Sequence, residues 1–395
     1  MASIILKPRR QGPLQYRHPW IFSGAIEKID GSPAPGETVE VRTADGKVCG
    51  FGAFSPHSQI AVRMWTFDAD EEISASFLKS RLRRAIDSRR QLPGYADGNC
   101  GRLVFSESDS LPGLIIDRYG DFLVCQFLSA GAEYWKDTIA STLLALLPCK
   151  GIYERSDADV REKEGLPLQT GVLSGDAPPE LVEIYDGRHR FLVDIKSGHK
   201  TGCYLDQREN YIFVANFMSG KNVLDCFCYT GGFSVAALAA GAGSVKSVDA
   251  SAPSLELARQ NIALNKLDVS RSVMEEANVS HFLRRCRDAG EQFDAVILDP
   301  PKFIRSRSQL EQAGRGYKDI NLMAIKLLKP GGILATFSCS QLMSPDLFQR
   351  TVSFAATDAR RDVQIISRLT QAPDHPVAVN FPEAEYLKGL ICRVW

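Results

Sequence analysis

Val223-Leu224-Asp225-Cys226-Phe227-Cys228-Tyr229-Thr230-Gly231-Gly232-Phe233 reads as strand, tight turn and helix. Two apolar residues lead into an acid, two glycines close the turn, and an alanine-rich run from Ser234 to Ala240 follows with helical composition. Glycines let backbone approach a ligand closely, and a helix N-terminus directs unpaired N–H groups toward it. Asp249 stands eighteen residues past Gly231, at the end of a second apolar run, Ser244-Val245-Lys246-Ser247-Val248. An acid at that position is placed to bind ribose hydroxyls. The turn is not G-x-G-x-x-G, which makes a dinucleotide the weaker reading. Asp225, ending the first strand, suits a ligand with a cationic amino group. A ribose and an amino-acid end together point to S-adenosylmethionine.

Working outward, the chain alternates strand and helix from 221 onward. Strands are expected at 223–226, 244–249, 271–275, 293–298 and 332–337. Helices are expected at 233–240, 253–265, 278–287, 317–329 and 344–358, and a strand pair within 362–395. Such alternation implies a mainly parallel sheet covered on both faces, with ligands at the carboxyl ends of its strands.

Two further motifs fall at those ends. Phe293-Asp294-Ala295-Val296-Ile297-Leu298 is a buried strand, and Asp299-Pro300-Pro301-Lys302 follows it. Consecutive prolines stiffen the turn and hold Asp299 over the sheet. A bare D-P-P can be a simple turn, but its place after this strand favours a site. Residues 303–308 continue as a basic loop. Gly331 to Phe337 forms the next strand, and Ser338-Cys339-Ser340 is its carboxyl end. Most cysteines are inert. Cys339 differs in lying one strand from Asp299. A thiolate adds to C6 of a pyrimidine and makes C5 nucleophilic enough to take a methyl group. Asp299 is then placed to hydrogen-bond N3 of a cytosine and supply a proton there.

The first half of the chain has a different texture. Residues 1–74 carry short strand candidates separated by Gly, Pro and Asp-Gly turns, which suggests a small β-barrel. Lys7, Arg9, Arg10, Arg17, His18 and Trp20 fall within fourteen positions. Cations beside an aromatic suit RNA phosphates and stacked bases, and they equally suit a solvated arm whose Trp20 plugs the barrel. A helix from Glu71 to about Arg90 has apolar Leu78, Leu82 and Ile86 on one face and a basic opposite face, which is either solvated or an extension of an RNA surface. Residues to about 175 alternate strands and a helix with no catalytic motif. The charged run 157–164 is expected to be exposed. A hairpin at 181–195 turns on Asp186-Gly187. Asp206, Gln207 and Arg208 precede a helix at 209–217, with Asp206 as its expected N-cap and all three within reach of a ligand at the 228–232 turn.

The whole chain sets bounds. At 395 residues it has room for two or three domains. Lys+Arg and Asp+Glu are both 47, which argues against a bulk electrostatic grip on nucleic acid but leaves room for a local basic patch. No run of about 18 apolar residues exists, so no membrane span is expected, and the N-terminus lacks the pattern of a secretory signal. The ten cysteines are scattered. Cys226 and Cys228 form C-x-C without a second pair at zinc-ligand spacing, so no metal is expected. A chain of this size needs no disulfide framework, which makes a reducing cytoplasm the simplest location.

Leu224-Asp225-Cys226-Phe227-Cys228-Tyr229-Thr230-Gly231-Gly232-Phe233, Asp249-Ala250-Ser251, Leu298-Asp299-Pro300-Pro301-Lys302-Phe303 and Phe337-Ser338-Cys339-Ser340 resemble the motifs of class I S-adenosylmethionine-dependent RNA methyltransferases. More closely, the chain resembles, over its whole length, the bacterial ribosomal RNA large-subunit methyltransferase I family, which makes 5-methylcytidine in 23S ribosomal RNA. The resemblance implies an α/β fold. A Rossmann-like class I methyltransferase domain with a mainly parallel seven-stranded sheet (176–395, with the hairpin) is preceded by a small β-barrel PUA domain (1–74) and an α+β central domain (75–175). Arg17-His18-Pro19-Trp20-Ile21-Phe22 carries the match in the PUA domain and Glu107-Ser108-Asp109-Ser110-Leu111-Pro112-Gly113-Leu114-Ile115-Ile116-Asp117 in the central domain, and the hairpin 181–195 and Lys200-Thr201-Gly202-Cys203-Tyr204-Leu205-Asp206-Gln207-Arg208 also match. Cys203 stands where an aromatic is expected.

Residue by residue, the resemblance implies that Asp225 and the turn from Phe227 through Thr230 to Gly231 hold the methionine end of S-adenosylmethionine, with Gln207 and Arg208 nearby. Asp249 holds the ribose with Ser251 beside it, and Glu276 and Ala277 border the adenine. Asp299 sits between cofactor and base, and Cys339 is the nucleophile. Arg9, Arg10, Arg17, His18, Trp20 and Lys302 are the expected RNA contacts. Other cytosine-C5 RNA methyltransferases carry Pro-Cys at the first motif, and the sole Pro-Cys of this chain, Pro148-Cys149, lies in the central segment. A single-cysteine scheme therefore fits better. Methylation of another base such as guanine N7 needs no thiol, a non-catalytic RNA-binding protein needs no intact acids, and a nicotinamide dehydrogenase would carry the third glycine. A homodimer stays open.

Overall fold

The computed structural model describes residues 1–95, 97–303 and 310–395. The basic loop read at 303–308 lies, from 304 on, outside the described residues. By its internal contacts the chain divides into two compact units. The first comprises Met1–Arg188, Val193–Leu205 and Pro373–Ala384, and the second His189–Leu192, Asp206–Ala372 and Glu385–Trp395.

The first unit holds two sheets. A six-stranded sheet runs in the order Trp20–Phe22, Ile60–Thr66, Val48–Phe54, Thr38–Arg42, Ser3–Leu6, Ile26–Asp30. Alternating apolar residues give it its own core of Ile4, Leu6, Val39, Val41, Val62 and Met64. A five-stranded sheet follows in the order Gln169–Gly175, Gly151–Ser156, Phe122–Phe127, Leu114–Tyr119, Cys100–Phe105. The helix Ala75–Arg90 packs Leu78, Leu82 and Ile86 against that layer, and Ser74 caps it by accepting from Phe77 N. The hairpin strands form at Val182–Tyr185 and Arg190–Val193.

Most of the run 157–164 is exposed as expected, but two of its charged residues are not. Arg161 is fully buried and donates to Glu133 Oε2 at 2.7 Å, while Glu164, also buried, accepts from Ser55 Oγ at 2.8 Å and Arg63 Nη1 at 2.7 Å. Charges are tolerated inside when every one is paired, and a sequence cannot distinguish a paired charge from a solvated one. Segment Pro373–Ala384 is fastened within this unit in the same manner. Buried Arg89 bridges Asp109 Oδ1 at 2.6 Å and the Asp374 carbonyl at 3.1 Å.

The second unit is built on one seven-stranded sheet of β1 (Asn222–Cys226), β2 (Ser244–Asp249), β3 (Ser272–Glu276), β4 (Phe293–Leu298), β5 (Leu328–Ser338), β6 (Val363–Leu369) and β7 (Lys388–Val394). The order across the sheet is β3-β2-β1-β4-β5-β7-β6, and β7 alone runs against its neighbours. Phe293, Tyr317 and Phe348 are all essentially buried in its core, where each such side chain contributes roughly 1.5–3 kcal/mol. The helix Leu310–Leu327 begins earlier than its expected start at 317, and β5 begins at Leu328 rather than 332. Phe293 pairs with Leu328 and Ala295 with Ile333, so residues 329–332 bulge from the ladder. Pro330, which has no N–H to donate, sits in that bulge.

Candidate active site at the strand ends

The turn after β1 is held in an unusual backbone conformation. Phe227 (φ 61°), Tyr229 (φ 48°) and Gly231 (φ 83°) all adopt positive φ. Two of the three are non-glycine aromatics, a strain that persists only when the surroundings fix it. The fixing bonds are visible. Phe227 N donates to Val248 O at 2.8 Å, Tyr229 N to Asp249 Oδ2 at 2.9 Å, and Asn261 Nδ2 to Thr230 O at 2.9 Å. Gly231 is needed for its φ. Gly232 is needed for close approach, since a Cβ there would lie 2.5 Å from the Tyr211 ring.

Asp225 is fully buried. Its Oδ2 accepts from Ser234 Oγ at 2.6 Å, and its Oδ1 has no hydrogen-bond partner among the described residues. Burial pushes its carboxyl up to about 7, against the lowering effect of Ser234, with Asp249 adding to the rise. Buried Gln207 leaves its Nε2 similarly without a partner, while its Oε1 accepts from Asn210 Nδ2 at 2.6 Å. An orphaned buried acceptor and an orphaned buried donor match the ammonium and carboxylate of an amino-acid ligand, so the residues present fit S-adenosylmethionine.

The structure brings Asp249, Ser251, Glu276 and Ala277 together. Asp249 Oδ1 accepts from Ser251 N at 3.0 Å, Glu276 pairs in register with Asp249, and Ala277 N donates to Asp249 O at 2.9 Å. Ser251 also caps the helix Ala252–Leu264. Arg208 lies buried in the first turn of the helix Arg208–Ala215 and pairs with Glu209 at 3.4 Å. That helix has Gln207 at its N-cap with no side-chain cap bond, so Asp206 is not the expected cap. Its carboxylate instead accepts from the Tyr386 hydroxyl.

Asp299 follows β4 and is half-buried, its N donating to Cys226 O at 3.4 Å. Lys302 is exposed. Cys339, half-buried, follows β5, the strand beside β4. Around it Tyr317 Oη and Ser340 Oγ are 3.2 Å apart, and Lys388 Nζ donates to Ser340 O and Tyr386 O, each at 2.6 Å. Lys388 escaped the sequence reading, and its signal was a lysine inside the apolar run 387–392.

In the first unit, Arg9, Arg10 and Arg17 are exposed, the first and last with φ near 60°. His18 lies 3.3 Å from Glu383, and half-buried Trp20 donates from Nε1 to Glu107 at 2.8 Å while packing edge-on to Phe381. Arg17 shares a cavity of about 400 Å³ with Arg81, Arg84, Glu71, Glu107 and Asn380. Among the described residues no helix is long and apolar enough to cross a membrane.

Comparisons with known proteins agree with this layout. Residues 168–393 match the S-adenosylmethionine-dependent methyltransferase family and residues 4–67 the PUA-like domain. A Shewanella amazonensis protein named Ribosomal RNA large subunit methyltransferase I is 52% identical over 99% of both chains, and a Cronobacter sakazakii protein of the same name is 51% identical over 99% of both. A solved chain from Streptococcus mutans, described as a SAM-dependent methyltransferase, superposes with a TM-score of 0.84 at 21% identity over 100% of both chains, which supports the fold. Another, described as a methyltransferase complexed with SAH, gives 0.86 at 21% identity over the same coverage. The chain belongs to the S-adenosylmethionine-dependent methyltransferases, in the ribosomal RNA large subunit methyltransferase I family.

Proposed function

We propose that this protein is a cytoplasmic enzyme that methylates C5 of a cytosine in 23S ribosomal RNA, through a covalent adduct between Cys339 and C6 of the base. The observation that carries the reading is a half-exposed thiol at the end of β5, one strand from the carboxylate of Asp299, on a sheet whose β1 and β2 ends fit S-adenosylmethionine.

Asp225 would meet the cofactor ammonium and Gln207 its carboxylate, Asp249 the ribose hydroxyls, and Glu276 and Ala277 the adenine edge. When bound, the cofactor supplies an electrophilic methyl group. The chain's own residues do the rest. The Cys339 thiolate adds its electron pair to C6 while Asp299, as the acid, places a proton on N3, and the ring electrons move to C5. After methylation a water molecule accepts the C5 proton, the C5–H electrons restore the C5–C6 double bond, the C6–S bond breaks with its electron pair returning to sulfur as thiolate, and the N3 proton returns to Asp299. A ring nitrogen with a free lone pair needs no such thiol, so a guanine-N7 product would assign Cys339 no role. Arg9, Arg10, Arg17 and Lys302 are solvent-facing cations suited to phosphates, while His18 and Trp20 would contribute through the packed cluster they form with Glu383 and Phe381. The target base would be extruded to reach the thiol.

The test is tritium transfer from labelled S-adenosylmethionine to unmodified large-subunit ribosomal RNA, followed by nucleoside analysis. Label in 5-methylcytidine is the expected result. Label in a methylated guanosine would keep the cofactor and discard the thiol chemistry.

A further inference from the structure

β7 runs antiparallel to β5 with Lys388 opposite Ser338. The lysine therefore enters the sheet beside the strand end that carries Cys339. It is 6% exposed, in a position where a charged group is costly unless something answers it. Two of its donors are used on the backbone, one on the carbonyl of Tyr386 and one on the carbonyl of Ser340, the residue directly after Cys339. Ser340 is tied from the other side by Tyr317, whose hydroxyl is 3.2 Å from Ser340 Oγ. The cation is thus pinned against the peptide that follows the thiol, and it has no carboxylate within ion-pair distance among the described residues.

The charges that act on Lys388 are few. Burial is the largest influence and lowers its ammonium to about 8. Cys339 and Glu385 favour the charged form, and Lys302 opposes it. Tyr317, on the helix Leu310–Leu327, also interacts with Cys339, and burial raises its hydroxyl above the usual phenol range. Asp299, which follows the neighbouring strand β4, is the carboxylate on that side, and a negative charge there opposes a thiolate. Glu385 and Lys302 are both exposed, where water screens them. That leaves the thiol as the strongest influence favouring the buried ammonium.

We propose that Lys388 is a positioning residue for the nucleophile: its buried ammonium, anchored on the Ser340 and Tyr386 carbonyls, holds Cys339 as a thiolate ready to add to the base. The inference rests on the nucleophile assignment above. The coupling is reciprocal: a thiolate at Cys339 keeps Lys388 charged, and a charged Lys388 favours the thiolate. The resting pair would exist as thiolate and ammonium at neutral pH. Once the thiolate has added to C6 and lost its charge, the lysine is less stabilised as a cation. The bond that forms is S–C6, from the sulfur electron pair, and Lys388 neither gains nor loses a proton in that step.

The experiment follows alkylation of Cys339 by iodoacetamide in the full-length protein as a function of pH. Mass spectrometry of the peptide bearing Cys339 separates it from the other nine cysteines. In the unmodified protein the rate should reach half its maximum below the ordinary thiol range of about 8.5. Lys388→Met should move that midpoint up by about one pH unit or more, the scale of a nearby opposite charge, and Lys388→Arg should leave it nearly in place. Should Lys388→Met fail to fold, Lys388→Gln retains a donor for the two carbonyls while removing the charge. A midpoint at or above the ordinary thiol range in the unmodified protein, or one that does not move in the neutral variants, overturns the proposal. The readout needs no RNA, so it separates the two readings. If Cys339→Ala still methylates RNA, the nucleophile assignment fails whatever the alkylation profile shows. If Cys339→Ala is dead and the profile is indifferent to Lys388, only the lysine's role fails.

Discussion

The ends of β1 and β5 carry the same residue type and give it opposite surroundings. Cys226 and Cys228 flank the first turn. Both are buried, and desolvation pushes both thiols well above their ordinary range, with Asp225 adding to the rise in each and Asp249 in Cys228. Cys339 is half-exposed and has a buried lysine anchored to the residue after it. Topology places all three at strand ends, where ligands bind. What distinguishes them first is burial: full desolvation keeps the two β1 thiols protonated and the neighbouring carboxylates add to that, whereas Cys339 is only half-buried and stands near a buried ammonium. On the proposals above, the β1 end receives a cation and the β5 end presents an anion.

The largest effect should come from breaking that division at its reactive side. Cys339→Ala should reduce methyl transfer by more than about 10³-fold, as removal of a nucleophile does, while cofactor binding, read as a melting shift with S-adenosylhomocysteine, stays unchanged. Cys226→Ala and Cys228→Ala should retain methyl transfer within a few-fold. Residual activity in Cys339→Ala comparable to the unmodified protein would place all three thiols in one inert class.

The cation-receiving side predicts a pH dependence. Asp225 holds its proton up to about 7 in the free protein. An ammonium against Oδ1 favours the carboxylate, so the complex releases the proton. Affinity for S-adenosylhomocysteine should rise with pH below about 7, by up to tenfold per unit, and level off above it. Asp225→Asn should weaken binding by roughly 10- to 100-fold, the worth of a charge-assisted hydrogen bond, and flatten the profile. The same raised carboxyl contributes stability that is fully present below the unfolded carboxyl range, near 4, and is lost as pH rises through about 7. Titration calorimetry across pH 5.5–8 checks the binding half of this. A profile equally steep in Asp225→Asn would assign the proton elsewhere.

Much of this division is legible in the sequence, and the missing part has a physical cause. The motifs at Asp225, Asp249, Asp299 and Cys339 each end an apolar run, and a parallel sheet gathers such ends at one edge. Hydrophobic period and turn residues therefore suffice to place them. Lys388 lies on β7, the one antiparallel strand, and its neighbour Ser338 is fifty positions away. No local pattern encodes a contact of that kind. The burial of Arg161 and Glu164 was hidden for a related reason, because their partners Glu133, Arg63 and Ser55 are scattered through the first unit. The sequence likewise suggested Asp206 as a helix cap, and a hydroxyl far along the chain, that of Tyr386, took its carboxylate instead.

The turn at the β1 end offers the next test. Gly232→Ala would place a methyl 2.5 Å from the Tyr211 ring, which is itself packed edge-on to Phe233 at 4.6 Å. The ring or the helix Gly232–Ala239 must shift, at a cost of about 1–3 kcal/mol. Gly231→Ala adds a strained φ and a 3.0 Å contact with Ala258 Cβ. Both should lower the melting temperature and weaken cofactor binding together, because the strained Phe227 and Tyr229 depend on the same turn. An unchanged affinity in a folded Gly231→Ala variant would detach the turn from the cofactor.

The smallest effect sharpens the thiol comparison itself. Cys226→Ser swaps a weakly polar sulfur for a hydroxyl in a fully buried position among Leu224, Val248 and Leu298, on the face of β1 opposite to Asp225. In that apolar setting the hydroxyl costs about 1–3 kcal/mol. The melting temperature should fall while affinity for S-adenosylhomocysteine stays unchanged, because the hydroxyl cannot reach the unpartnered Oδ1 of Asp225. A several-fold weaker affinity at unchanged stability would tie this thiol to the cofactor after all and remove its contrast with Cys339.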